Sequence, residues 1–172
     1  LNIISTYFQN EEPMHLWLGE NVFTATIGKD TVYTRIIDER FPDYQSVIPT
    51  DNNKEIRVDC NSLLSAVKRV SIFSNKATHQ IAMRADSGSA TITTEDPEKA
   101  SKAQEKIDIE YTGDPIDVGY NAAYLKDILS HLYSDEIVIK LNTPISAGLF
   151  YPTPSDDKVE VTMLLMPIRL ND

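Results

Sequence analysis

At 172 residues the chain is long enough for one domain, or one domain and part of another, with a core that needs no disulfide or metal. Hydrophobic residues make up 41% and charged residues 24%, ordinary globular proportions, and no apolar run reaches the roughly 18 residues a membrane span requires. A net charge of −10 argues against affinity for nucleic acid gained by neutralising many phosphates, and suits a chain whose partners are proteins.

No secretory pattern opens the chain, and Leu1 stands inside a strand-like stretch where an initiating Met would be. The expectation is that the natural N-terminus lies upstream. A single cysteine, Cys60, has no internal disulfide partner and reads as a small buried thiol in a cytoplasmic protein.

In chain order, Met14–Leu18 and Val22–Ile27 are rich in β-branched and aromatic residues and read as strands. Gly28-Lys29-Asp30 signals a turn, and Thr31–Ile37 returns as a third strand. So few strands need something else to pack on, so they read as the end of a preceding domain. Asp38–Pro49 carries two prolines and no period, and reads as an extended connector. The expected division is residues 1–45 for those strands plus connector, and 46–172 for a complete domain.

That second part contains an internal repeat of architecture. Ile56–Asn61 alternates and then gives way to a helical pattern, with Leu63, Val67 and Val70 at i, i+4 and i+7 and Leu64 beside them. Ile116–Asn121 does the same, followed by Leu125, Ile128, Leu129 and Leu132, with Asn121 a good N-cap. Three strand-like runs follow each helix: Gln80–Arg84, Ala90–Thr94 and Lys106–Thr112, then Ile137–Leu141, Ile145–Tyr151 and Val159–Leu170. Gly88, Asp96-Pro97 and Pro152-Thr153-Pro154-Ser155 supply turns. The order βαβββ, twice, predicts an α+β domain with pseudo-twofold symmetry, each half setting one helix against an antiparallel sheet.

Catalytic constellations find no support. His15, His79 and His131 lack metal-ligand spacing among themselves or with Cys60; the glycines are scattered singly, and no G-x-S-x-G elbow occurs. The pairs Glu95-Asp96, Asp135-Glu136 and Asp156-Asp157 read as solvated turns rather than an acid–base couple, and Glu98–Glu110 as a charged loop entering a strand. No cofactor or metal is implied. The two helices carry +2 between them (Lys68 and Arg69, with Lys126 offset by Asp127), which leaves −12 for the rest. Met163–Leu170 is an apolar ending interrupted by Pro167, which suits the last core strand or a groove wall.

Two segments make the chain recognisable. Asp38-Glu39-Arg40-Phe41-Pro42-Asp43-Tyr44, followed by Val47-Ile48-Pro49, resembles the D-x-R-F-P-D-Y and V-x-P pattern of the bacterial sliding-clamp family, the beta subunit of DNA polymerase III. Met166-Pro167-Ile168-Arg169-Leu170 resembles that family's ending, and Ser74-Asn75 and Gly119-Tyr120-Asn121 fall where the family has similar residues. The resemblance covers essentially the whole chain; Asn171 and Asp172 extend past the usual end.

The resemblance implies a clamp fold in which two helices per domain face a central hole. It implies a ring of two protomers around duplex DNA, held topologically, so that a mildly positive lining suffices inside an acidic body. Lys68, Arg69 and Lys126 are the lining candidates. It also implies a non-catalytic platform whose groove, between the middle and last domains, takes short linear motifs of polymerases, clamp loader and repair proteins. Carried over by position, its wall is Pro42, Val47, Asn121, Tyr124, Ile145, Ala147, Leu164, Leu165, Met166, Pro167, Ile168, Arg169 and Leu170. Ser46 and Thr78 depart from members that carry a basic and a large aromatic residue there, which implies a smaller rim. On this reading the 172 residues alone neither close a ring nor hold DNA. The competing readings are an enzyme domain using surface carboxylates or Cys60, and a β-rich interaction scaffold unrelated to DNA.

Overall fold

The structure, a computed structural model, describes residues 13–153 and 159–170. Leu1 with its strand-like start, the turn residues Pro154 and Ser155, the Asp156-Asp157 pair, and Asn171 with Asp172 lie outside the described residues. The chain forms two compact units, Leu1–Asp43 and Tyr44–Asp172, dividing just before the expected boundary.

The first unit holds an antiparallel meander of β1 (Met14–Leu18), β2 (Val22–Ile27) and β3 (Asp30–Arg35). Gly28 takes a left-handed φ of 56° in the β2–β3 turn, where a Cβ would be strained. The third strand begins and ends earlier than the sequence suggested. It pairs Ile27 with Asp30 across a two-residue loop, and the ladder stops at Val22–Arg35, where β2 begins. Only Ala25 is buried among these strands, as expected of a three-stranded sheet with no layer of its own to pack on.

The second unit opens on a 3₁₀ turn, Tyr44–Val47, where a plain extended connector was expected. Then come β4 (Lys54–Asp59), α1 (Cys60–Ser71), β5 (Gln80–Asp86), β6 (Ser89–Asp96) and β7 (Ser101–Asp108). The second half repeats the order with β8 (Ile116–Asn121), α2 (Ala122–His131), β9 (Glu136–Leu141), β10 (Gly148–Pro152) and β11 (Met163–Leu165). In both halves the strand turns directly into the helix through a capping side chain. Asp59 accepts from Ser62 N at 2.6 Å, and Asn121 accepts from Ala123 N at 2.9 Å and Tyr124 N at 3.4 Å. The helices bury Leu63, Ala66, Val67 and Val70, and Leu125 and Leu129, in one core with Ile56 and Ile139 of one sheet and Ile81, Ile92 and Val118 of the other.

The sheets are not one per half. Their orders are β7-β6-β5-β8 and β11-β10-β9-β4, so each half lends its first strand to the other half's sheet. Ile56 pairs with Ile139, and Ile81 with Tyr120. The reason is geometric: with no loop between strand and helix, about 18 Å of helical rise carries the chain away before it can turn back. Each half then closes by a single bridge, Arg57 with Glu110 and Gly119 with Ile168, in which the chain leaving an edge strand crosses to the other sheet.

Three strand limits differ from the sequence reading. The strand expected at Lys106–Thr112 after a charged loop is the edge strand β7, which starts earlier, at Ser101, and ends at Asp108; its Lys102, Gln104 and Lys106 point to solvent while Ala103 and Ile107 turn inward and Glu105 meets Arg69 of α1. Edge strands tolerate such charge. The β9–β10 connection holds Ile145 in a Thr143–Ser146 turn, so β10 starts at Gly148. The expected strand Val159–Leu170 shrinks to Met163–Leu165, because after Leu165 the chain abandons β10 for Gly119, and Pro167 has no N–H for a ladder.

Candidate functional site

The end of β8, the cap of α2, the start of β10 and the chain after β11 meet on one face of the second unit. Gly119 anchors it. Ile168 N donates to Gly119 O at 2.9 Å, and a Cβ on Gly119 would stand 2.4 Å from Ile168 O and 2.8 Å from Leu170 Cδ2. Only a glycine lets the terminal segment lie this close. Two residues on, Asn121 caps α2 with its Oδ1 while its Nδ2 donates to Thr78 O at 3.2 Å. Because a carbonyl only accepts, this bond fixes which way the amide points, and it leaves one N–H for a ligand.

Around that anchor the residues expected to form a wall separate into two groups. Tyr124 is 65% exposed, Ile145 62% and Met166 60%. Leu164, Pro167, Ile168 and Leu170 are half-buried, and Arg169 is exposed beside them. Leu165 and Ala147, by contrast, are each only 7% exposed. Leu165 belongs to the core, since alternation in β11 sends it inward while Leu164 turns out. Ala147 contributes its carbonyl, which accepts from Asn52 Nδ2 at 3.0 Å, rather than its methyl. Val47 ends the 3₁₀ turn of the same unit and is 57% exposed; Pro42 is exposed in the first unit.

Two cavities lie away from these residues: one of about 650 Å³ at the opposite helix ends, lined by Cys60, Leu64, Leu129, Tyr133 and Glu136, and one of about 620 Å³ in the first unit beside Tyr33 and Ile37. Neither carries a catalytic grouping. Cys60 is buried and its thiol donates to Leu129 O at 3.5 Å; burial, then Asp59, pushes its pKa up, away from the reactive thiolate. Among the described residues no cluster of three metal-ligating side chains occurs, and no helix is long and apolar enough to cross a membrane.

The three lining candidates differ in their surroundings. Lys68 is exposed on α1. Lys126 is half-buried and donates to Ser71 Oγ at 3.3 Å across the helix pair. Arg69 grips Glu105 of β7 with two bonds of 2.5 and 2.9 Å. Those bonds hold the Glu105 carboxyl below its ordinary range and raise the guanidinium's, so Arg69 adds little net positive field.

The sequence reading missed three contributors. Gly119 appeared only as part of a helix-opening run, since its requirement comes from a segment some 50 residues later. Asp96 read as solvated, yet it is 0% exposed and accepts from Glu98 N and Asn75 Nδ2. The loop Asn75–His79, which holds the cap of α2, carried no periodic signal at all.

The profile of the DNA polymerase III beta subunit, C-terminal domain, matches residues 45–169. The chain belongs to that family. Among curated relatives of this beta-subunit domain, the beta sliding clamp of Vibrio cholerae is 28% identical over 170 residues, covering 99% of the chain and 45% of the relative. That of Pseudomonas aeruginosa is 31% identical over 153 residues, 89% of the chain and 41% of the relative. Among solved structures, a sliding clamp from Pseudomonas aeruginosa with ligand superposes with a TM-score of 0.82 at 27% identity, covering 96% of this chain and 44% of that one. A clamp from Bartonella birtlesii bound to griselimycin gives 0.83 at 28%, covering 98% and 44%. The beta-subunit chain here therefore has the α+β clamp fold, and it spans less than half the length of these relatives.

Proposed function

We propose that the chain is the C-terminal part of a DNA sliding clamp, a non-catalytic processivity subunit whose ring encircles duplex DNA and whose third domain receives short linear motifs of polymerases, clamp loader and repair proteins. Residues 46–172 form that third domain, and 1–45 the last strands of the middle domain with the connector. The observation that carries the reading is Gly119, which seats the terminal segment holding exposed Met166 and Arg169 against the strand that runs into Asn121, whose amide has one N–H to spare; Tyr124, in the first turn of α2, is exposed as well. Apolar side chains of an extended peptide fit such a face, and Asn121 and Arg169 supply polar contacts to its backbone. Duplex DNA, held without sequence reading, would pass the helix side. Lys68 and Lys126 supply the positive field there, while Arg69 serves chiefly to brace α1 on β7 through Glu105. The ring is a homodimer, and the site of action the bacterial cytoplasm.

The test is a fluorescent peptide of Gln-Leu-x-Leu-Phe type titrated against the full-length protein. Saturable binding, weakened at least about tenfold by Met166→Ala and abolished by removing residues 166–172, is expected. Binding indifferent to both changes would reject this face as the site.

A further inference from the structure

We propose that the loop Asn75–His79, locked by Asn75 against the buried carboxylate of Asp96, is the positioning element for Asn121 and Tyr124. The proposal rests on reading their face as the peptide site.

His79 is one of two non-glycine residues with positive φ among the described residues, at 49°; the other, Ala100 at 47°, ends the turn that follows Asp96. A side chain with a Cβ is costly in this conformation and persists only where the surroundings dictate it. Here they do. His79 N donates to Asn75 O at 2.8 Å, and the left-handed turn aims His79 O at the first helical amide of α2, Ala122 N, also at 2.8 Å. One residue earlier, Thr78 O receives Asn121 Nδ2 at 3.2 Å. The loop thus satisfies one amide that a helix start leaves open and orients the cap residue that satisfies two more.

The loop is itself shaped by one side chain. Asn75 Oδ1 accepts from Ala77 N at 2.9 Å and Thr78 N at 3.3 Å, folding the backbone over it. Its Nδ2 points the other way, 3.4 Å from Asp96 Oδ1. Asp96 is fully buried, with Glu98 N at 3.2 Å on the same oxygen and Lys99 Nζ 3.6 Å from the other, which makes no hydrogen bond. A buried carboxylate this short of donors keeps a strong hold on each one it has, so the Asn75 amide is fixed in one orientation. From Asp96 through Asn75, Thr78 and His79 to Asn121, every link is a donor–acceptor pair with one allowed sense.

The experiment has two readouts. Amide exchange of Ala122 and Ala123 is followed by NMR in the 172-residue chain, and peptide affinity in the full-length protein. Asn75→Asp keeps the acceptor for the loop amides but sets a second carboxylate against Asp96. The exchange of Ala122 is expected to quicken at least about fivefold, and peptide affinity to fall about five- to tenfold. Combining Asn75→Asp with Asp96→Asn removes the carboxylate–carboxylate repulsion, but Glu98 N and residue 75 still share one oxygen of residue 96, so partial recovery is expected, with both values at least about twofold closer to the parent than in the single variant. Unchanged exchange and affinity in the single variant, or a double variant no better than the single, would overturn the proposal. If the unsubstituted protein binds no peptide, the peptide-site reading fails, while exchange still judges whether the loop positions α2.

Discussion

Replacing Gly119 by alanine would set a methyl carbon 2.4 Å from the carbonyl oxygen of Ile168 and 2.8 Å from Leu170 Cδ2. Gly119 is not among the glycines with positive φ, so the strand accepts an alanine backbone and the substitution acts through these contacts alone. The nearest atom is backbone, not the far end of a flexible side chain, so the terminal segment must move as a unit. Movement forfeits the Ile168–Gly119 hydrogen bond, about 1 kcal/mol, and part of the Leu170 packing, about 1–2 kcal/mol. Together these reach about 2–3 kcal/mol, within the usual range for overpacking a fitted contact. If peptide binds only the docked arrangement, apparent affinity drops with the docked fraction, by up to about 30- to 150-fold. Anisotropy titration with a labelled peptide measures that drop. Trypsin cleavage after Arg169 measures undocking independently, and should accelerate by a similar factor. Thermal unfolding should fall by no more than about 10 °C, since the core of the second unit is not touched. Affinity within twofold of the parent, with Arg169 cleavage unchanged, would refute the claim that this glycine seats the terminal segment.

Tyr120 is 0% exposed, its ring meets Phe150 edge-on at 6.1 Å, and its hydroxyl has no hydrogen-bond partner among the described residues. Tyr120→Phe should therefore stabilise by about 1 kcal/mol and raise the melting temperature by about 3–5 °C; a fall of more than 2 °C would reveal a bond this account lacks. Arg69 keeps Glu105 ionised below the usual carboxylate range, so its contribution to stability is present above about pH 4.3 and is lost as pH falls through the lowered value. The melting-temperature gap between the parent and Glu105→Gln should accordingly narrow in acid, and a gap that widens between pH 6 and pH 3 would contradict that sign. It should also be small, because the pair lies at the surface.

The duplicated architecture was legible because it rests on local signals: period-two runs at Ile56 and Ile116 yielding to helical spacing at Leu63 and Leu125, with Asn121 marking one boundary. What stayed hidden was non-local. Nothing near Ile56 announces that its partner is Ile139, and a stretch as charged as Lys102–Glu105 looks like the loop before a strand until Ala103 is seen turning inward at an edge. Asp96 resembled any acidic turn residue; that it is buried and meets Asn75, 21 residues earlier, has no local signal. Among the candidate wall residues Tyr124 and Met166 are exposed, whereas alternation in a three-residue strand decides that Leu165 belongs inside.

The exchange of β4 and β8 makes the second unit indivisible. Neither half owns a complete sheet, so a break introduced between Asp108 and Ile116 leaves two pieces that must find each other to be folded, and complementation from separate chains becomes possible. It also orders events during synthesis: β4 emerges early but has no mate until β9 follows, and such distant pairing slows folding relative to hairpins like β5–β6. A defect in the last strands is therefore felt at the first one.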